Sequence, residues 1–311
     1  MAEKTSRRQW MGSVANASLA ATGLITTEAL GYSAQQRTTD SPFDIHQHVN
    51  AAIDDNYAEI GTADSTIEKD YSVRARILDD NGIEQSVLMP GTRRYRKTEG
   101  IVNVRKLNDL VAAYVAKHSD RFPVGIGTVE PTHGDASLKE LERIAKDLKF
   151  RGVVWHHTNC GVPVDDPFMR PIIRTMSELQ LIPFIHVTQP PAEMIHMLEM
   201  LATEFPNVTF VALDGLALYT HIWQAFEIAK RRKNILFDTG PSIGLLRETG
   251  VESFVKEFGA DRLLFGSDLY ALVPSYRRNI TLEILKNAKI TAEERAKILS
   301  GNARKLLRLP A

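Results

Sequence analysis

The chain of 311 residues is 43% hydrophobic and 24% charged, an ordinary globular balance with enough apolar mass for one large core. Its 38 Lys and Arg offset 38 Asp and Glu, so no global field recruits nucleic acid or an anionic membrane surface. The lone cysteine, Cys160, excludes an internal disulfide and a cysteine-built zinc site, leaving His, Asp and Glu to hold any metal.

The first residues differ from the rest. Ser6-Arg7-Arg8-Gln9-Trp10-Met11 precedes an uncharged, Ala- and Gly-rich stretch from Gly12 to Thr27, with small residues again between Gly31 and Ala34. The pattern resembles a twin-arginine export signal and predicts that residues 1–34 are a leader, that residues 35–311 form the mature domain, and that the mature protein is periplasmic. Glu28, near the expected cleavage point, runs against this, and a disordered amphipathic tail is the alternative. The stretch is too short and too weakly apolar for a membrane span.

Eight short apolar runs follow. They are Phe43 to His48, Gln85 to Pro90, Pro123 to Val129, Gly152 to His156, Ile182 to Val187, Val208 to Asp214, Ile235 to Thr239 and Leu263 to Asp268. Helical periodicity separates them, as in Val102 to Lys117, Ser137 to Leu148 and Pro191 to Thr203, where Pro191 suits a first helical turn. Buried strands alternating with helices imply parallel pairing, and eight units point to an α/β fold of the closed (β/α)8 TIM-barrel type in a single domain. An open doubly wound sheet is the alternative, although no Gly-x-Gly-x-x-Gly follows the first strand.

In a barrel, chemistry collects where the strands end. The first strand ends in His46 and His48, the fourth in His156 and His157, the fifth in His186 and the eighth in Asp268. Among nine histidines a His-x-His triplet arises readily by chance, so His46 and His48 gain meaning only from His186 and Asp268 at the same barrel end. Adjacent strand residues face opposite sides, so one of His156 and His157 is expected in the barrel mouth as a substrate contact. Cys160 has no arrangement that argues for a nucleophile.

In order along the chain, DIHQHV, GIEQSVLMPG, PFIHVTQ, NILFDTG, DRLLFGSDLY and ITAEERAKILSGNARKLLRL resemble the amidohydrolase superfamily, in the amidohydrolase-related branch of aminocarboxymuconate-semialdehyde decarboxylase and of lactone and amide hydrolases. The resemblance implies one divalent metal, zinc first with manganese as the alternative, held by His46, His48, His186 and Asp268. It also makes Asp268 the catalytic base. One departure stands out. The family's sixth strand commonly ends in histidine, whereas VTFVALDGLALYTH puts Gly215 at that place in one register and Asp214 in another. His156 or His157 reaching in would be a third substitute.

Arg94, in PGTRRYRKTEG, and Arg277, in the loop after the eighth strand, are candidates to clamp a substrate carboxylate, although loop charge is commonly solvated surface. The first functional reading is a metal-dependent hydrolase of a small cyclic ester, lactone or amide, using a metal-activated water. The alternative is a metal-dependent non-oxidative decarboxylase of an aromatic or muconate-like acid. The expected partner is a small molecule, anionic if those arginines bind it, and a homodimer is in keeping with the resemblance.

Overall fold

A computed structural model of the chain describes residues 41–49, 63–91, 100–217, 222–240, 250–271 and 280–310. The first barrel strand consists of β1 (Phe43–Asp44) and β2 (Gln47–Val49). Then come β3 (Gln85–Pro90), β4 (Val124–Gly127), β5 (Gly152–Trp155), β6 (Ile182–His186), β7 (Phe210–Leu213) and β8 (Ile235–Asp238). The eighth strand consists of β9 (Leu263–Leu264) and β10 (Leu269–Tyr270). All pair in parallel and in chain order, β9 with β8 and β10 back onto β2, which closes the ring. The fold is the expected (β/α)8 barrel.

Eleven α-helices are described: α1 (Ala63–Asn81), α2 (Ile101–Lys117), α3 (Asp135–Lys146), the single turn α4 (His157–Cys160), α5 (Met169–Glu178), α6 (Ile195–Glu204), α7 (Ile222–Arg231), α8 (Gly250–Phe258), α9 (Ile280–Asn287), α10 (Ala292–Ala296) and α11 (Asn302–Leu307). Helix α2 buries Leu107, Leu110, Val111 and Tyr114, the stripe its periodicity implies. Thr291 and Glu294 start α10 with a reciprocal capping box. The helix expected from Pro191 begins later, at Ile195, because the preceding turn carries the side chain of Glu193 inward to Thr158 and His156.

Strand alternation splits the apolar residues into two layers. Val87, Met89, Val154, Phe184 and Val211 fill the barrel, while Leu88, Val153, Ile185 and Ala212 face the helices. Ala303 and Leu307 of α11 join the interior cluster beside Phe43, at the amino end of the strands. The Arg304 guanidinium lies 5.2 Å from the centre of the Phe43 ring. Helix α11 thus plugs that end and leaves the carboxyl end for chemistry.

The first strand is not the continuous run expected from Phe43 to His48. Phe43 lies opposite Gln85 of β3, but His48 lies opposite Met89, so five steps along one strand match four along the other. One extra residue is therefore accommodated between β1 and β2, the signature of a bulge. A one-residue slip exchanges the faces of a strand. Phe43 and Ile45 fill the barrel before the slip, and His46 and His48 turn to its axis after it.

A buried brace holds this segment. Arg74 of α1 donates from Nε and Nη2 to Asp70, from Nη1 to Oε1 of Gln47 at 2.9 Å, and from Nη2 to the His48 carbonyl at 2.7 Å. Tyr114 donates to Asp70 at 2.8 Å, and Gln47 donates to Asp44 at 2.7 Å. Removing one partner of a buried ion pair strands the other charge without water. Asp70→Ala is expected to lower unfolding stability by about 3 to 5 kcal/mol in urea titrations, whereas an exposed-pair control, Glu142→Ala, is expected to cost under about 1 kcal/mol.

Candidate metal centre

His46 and His48 from the bulged strand, His186 from the end of β6 and Asp268 from the segment between β9 and β10 converge at the carboxyl end of the barrel. Nε2 of His46 lies 2.9 Å from Nε2 of His48, 3.2 Å from Nε2 of His186 and 3.3 Å from Oδ1 of Asp268. All three imidazoles are fully buried.

The hydrogen bonds on the other ring nitrogens fix what these Nε2 atoms offer. Nδ1 of His48 donates to the Pro90 carbonyl at 2.8 Å, and Nδ1 of His186 donates to the Trp155 carbonyl at 2.8 Å. Carbonyls only accept, so both rings carry their proton on Nδ1 and turn a bare lone pair inward from Nε2. His46 places Nδ1 2.6 Å from Oδ2 of Asp238 and is set in the same way. Lone pairs facing one another across about 3 Å repel, and a proton on His46 could be directed at only one neighbour. Oδ1 of Asp268, buried without a hydrogen-bond partner among the described residues, completes the set. Three nitrogens and one carboxylate oxygen fit a divalent cation with room for a further ligand, each ring being oriented from behind by an acceptor.

Further acids deepen the negative field. Burial opposes charging His46, but Asp268, Asp238 and Asp214 outweigh it and push His46 up to about 10. Burial and its charged neighbours hold His186 and His48 well below the usual imidazole range. Burial pushes Asp268 up to about 6, with His46 and His156 opposing, and raises Asp214 well above the carboxylate range, with Asp268 adding. A centre of this kind favours a cation over either a proton or nothing.

Asp214 and Asp268 both adopt left-handed backbone, at φ 58° and 55°. Asp tolerates this region better than most residues, and at Asp214 the turn aims the carboxylate at the axis where plain alternation from inward-facing Leu213 would not. Room is left by two glycines. A Cβ on Gly240 would collide with Oδ1 of Asp214, and one on Gly266 would stand 2.6 Å from Oδ2 of Asp238 and 2.9 Å from Cβ of His46. Asp214, not Gly215, is therefore the residue after β7 that turns toward the centre, while a Cβ on Gly215 would face Ala212 and Phe237. Oδ1 of Asp214 lies 3.7 Å from Nδ1 of His46, the nitrogen pointing away from the other ligands.

His156 and His157 part company as alternation requires. His156 stacks on His186 with 3.6 Å between ring centres, and its Nδ1 lies 3.0 Å from Oε1 of Glu193. His157 faces the helical layer, where Nδ1 donates to the Val162 carbonyl and burial pushes it down to about 4. Burial, with Glu130 adding, holds the Cys160 thiol well above its usual value and keeps it unreactive. Arg94 and Arg277 lie outside the described residues. Asp238 and Glu193 are additions to the residues read from the sequence. Asp238 closes a strand as His186 does, and that position was the available signal. Glu193 sits in a turn and had none.

Against known proteins, a family model described as amidohydrolase matches residues 43–309. The chain belongs to the amidohydrolase family. No curated protein sequence matches this amidohydrolase. Among solved structures it is similar to 5-carboxyvanillate decarboxylase from Sphingomonas paucimobilis, at 17% identity and TM-score 0.66 over 87% of this chain and 100% of the other. It is also similar to dihydroxybenzoic acid decarboxylase from Polaromonas, solved with bound manganese, at 18% identity and TM-score 0.61 over 86% and 97%. A third is 4-oxalomesaconate hydratase from Rhodopseudomonas palustris, at 19% identity and TM-score 0.64 over 86% and 95%. At such identities the likeness establishes the fold.

The amidohydrolase centre leads to a metal prediction. Purified protein is expected to contain about one divalent ion per chain by elemental analysis, and His48→Ala is expected to abolish this content. Gly266→Ala is expected to weaken metal affinity by roughly 10- to 100-fold, because it displaces the Asp238 carboxylate behind His46.

Proposed function

We propose that this amidohydrolase is a metal-dependent, non-oxidative decarboxylase of a hydroxylated aromatic or muconate-like acid. The observation that carries the reading is the near full-length likeness to decarboxylases of 5-carboxyvanillate and dihydroxybenzoates, joined to a centre with an acid at the metal edge.

The ion, zinc or manganese, would supply Lewis-acid stabilisation to substrate oxygens, held by His46, His48, His186 and Asp268. Asp268 delivers a proton to the carbon that bears the carboxylate. The bond to that carboxylate then breaks, its electron pair returns to the carbon framework, and carbon dioxide leaves. One proton is consumed for each carbon dioxide released, and Asp268 regains it from solvent. The dry, closed barrel beneath prevents competing hydration from that side.

Metal-loaded protein incubated with 2,6-dihydroxybenzoate, 5-carboxyvanillate and small lactones is expected to release carbon dioxide from an acid. Lactone opening with no carbon dioxide from any acid would establish the hydrolase instead. Asp268→Asn is expected to keep its metal while turnover falls by roughly 100- to 10,000-fold.

A periplasmic setting belongs to the same proposal and is supported by the Arg7-Arg8 leader pattern. Replacing both arginines by lysine is expected to leave the protein in the cytoplasmic fraction of its host. Unchanged periplasmic recovery would exclude the twin-arginine route.

A further inference from the structure

The barrel's missing strand-end imidazole has a neighbour. His156 follows β5 and continues the inward alternation of Val154. Its ring extends a run of near-parallel rings across the centre. Tyr270 stacks on His48 at 4.6 Å and 19°, His48 on His186 at 5.3 Å and 27°, and His186 on His156 at 3.6 Å and 16°. Of the three histidines in that run, His156 alone is oriented by a carboxylate.

That carboxylate is Glu193, which is fully buried in the turn before α6. Oε1 of Glu193 accepts from the Thr158 backbone N–H at 2.9 Å as well as from Nδ1 of His156. Two donors therefore converge on one acceptor, with Nδ1–H of His156 facing the carboxylate. The ring's other nitrogen, Nε2, has no hydrogen-bond partner among the described residues. A buried carboxylate in a turn carries a desolvation cost that a purely structural contact does not require, since Thr158 alone could be capped by a neutral group.

We propose that His156, positioned by Glu193, is the substrate-binding residue that hydrogen-bonds through Nε2 to a hydroxyl on the acid, and so selects substrates with a hydroxyl beyond the group held at the metal. The assignment rests on the decarboxylase reading. It gives Glu193 a positioning role, since the carboxylate acts only through the ring. The stack on His186 sets how far Nε2 reaches, and the carboxylate sets which nitrogen faces the substrate.

The experiment compares equilibrium binding of 2,6-dihydroxybenzoate and 2-hydroxybenzoate to metal-loaded protein by calorimetry, with metal content measured on each sample. The two probes share a carboxylate and an adjacent hydroxyl, and differ by the second hydroxyl. Native protein is expected to prefer the dihydroxy probe by about tenfold, the value of one net hydrogen bond. His156→Phe keeps a flat ring over His186 without Nε2 and is expected to bring the ratio to about one. Glu193→Gln, whose amide carbonyl can still accept from Nδ1, is expected to retain the preference, and Glu193→Leu is expected to lose it. The leucine variant carries the test if the phenylalanine variant does not fold. An undiminished ratio in His156→Phe, or in Glu193→Leu, overturns the assignment, as does equal binding of both probes to native protein. Failure of both probes to bind native protein overturns the aromatic-acid reading and this assignment with it.

Discussion

One extra residue in the first strand decides what this barrel can be. Without the slip between β1 and β2, strand alternation would send His46 and His48 to the helical layer, and His186 and Asp268 would face the centre without them. With it, the strand changes purpose halfway along, from packing at Phe43 and Ile45 to ligation at His46 and His48. Asp44 stabilises the transition by accepting from the His46 and Ser267 N–H groups, which ties the first strand to the eighth. The Arg74 brace holds the same segment from outside. Covalent order, hydrogen bonding and ion pairing all act on one short stretch.

The centre built there is over-determined. Each ring has a hydrogen-bond acceptor behind it: a carbonyl for His48, a carbonyl for His186, a carboxylate for His46. The difference matters, because a carboxylate makes its ring the more basic ligand. Two aspartates of the same region adopt left-handed backbone, a strain of order 1 to 3 kcal/mol each that the surrounding packing sustains. Among the described residues, two of the other positive-φ side chains outside glycine, Lys149 and Gln180, lie before strands β5 and β6, at the opposite rim. Strain at the carboxyl end is therefore tied to Asp214 and Asp268 individually.

Much of this was legible in the sequence, and the reasons it stopped are physical. Apolar runs such as QSVLMP and IPFIH are buried on both faces, which is why their bounds matched so nearly and why a terminal His186 was conspicuous. The bulge was illegible because it depends on the partner strand's spacing, which FDIHQHV does not contain. Asp214 was misjudged in one register because only a left-handed φ turns it inward, and sequence alternation assumes extended backbone. Arg74 reads as a solvated helix residue until Gln47 and the His48 carbonyl are brought against it. Glu193 meets His156 across a turn, with no periodicity to announce it.

The plug at the other end governs traffic. Helix α11 sets Ala303 and Leu307 against Phe43, and apolar side chains fill the interior above them, so among the described residues no passage runs through the barrel. Whatever reacts at the centre must arrive and depart by one mouth. A reaction that turns one molecule into two then imposes a queue, in which the smaller product leaves past the larger or waits behind it, and the rate of turnover becomes partly a property of that doorway.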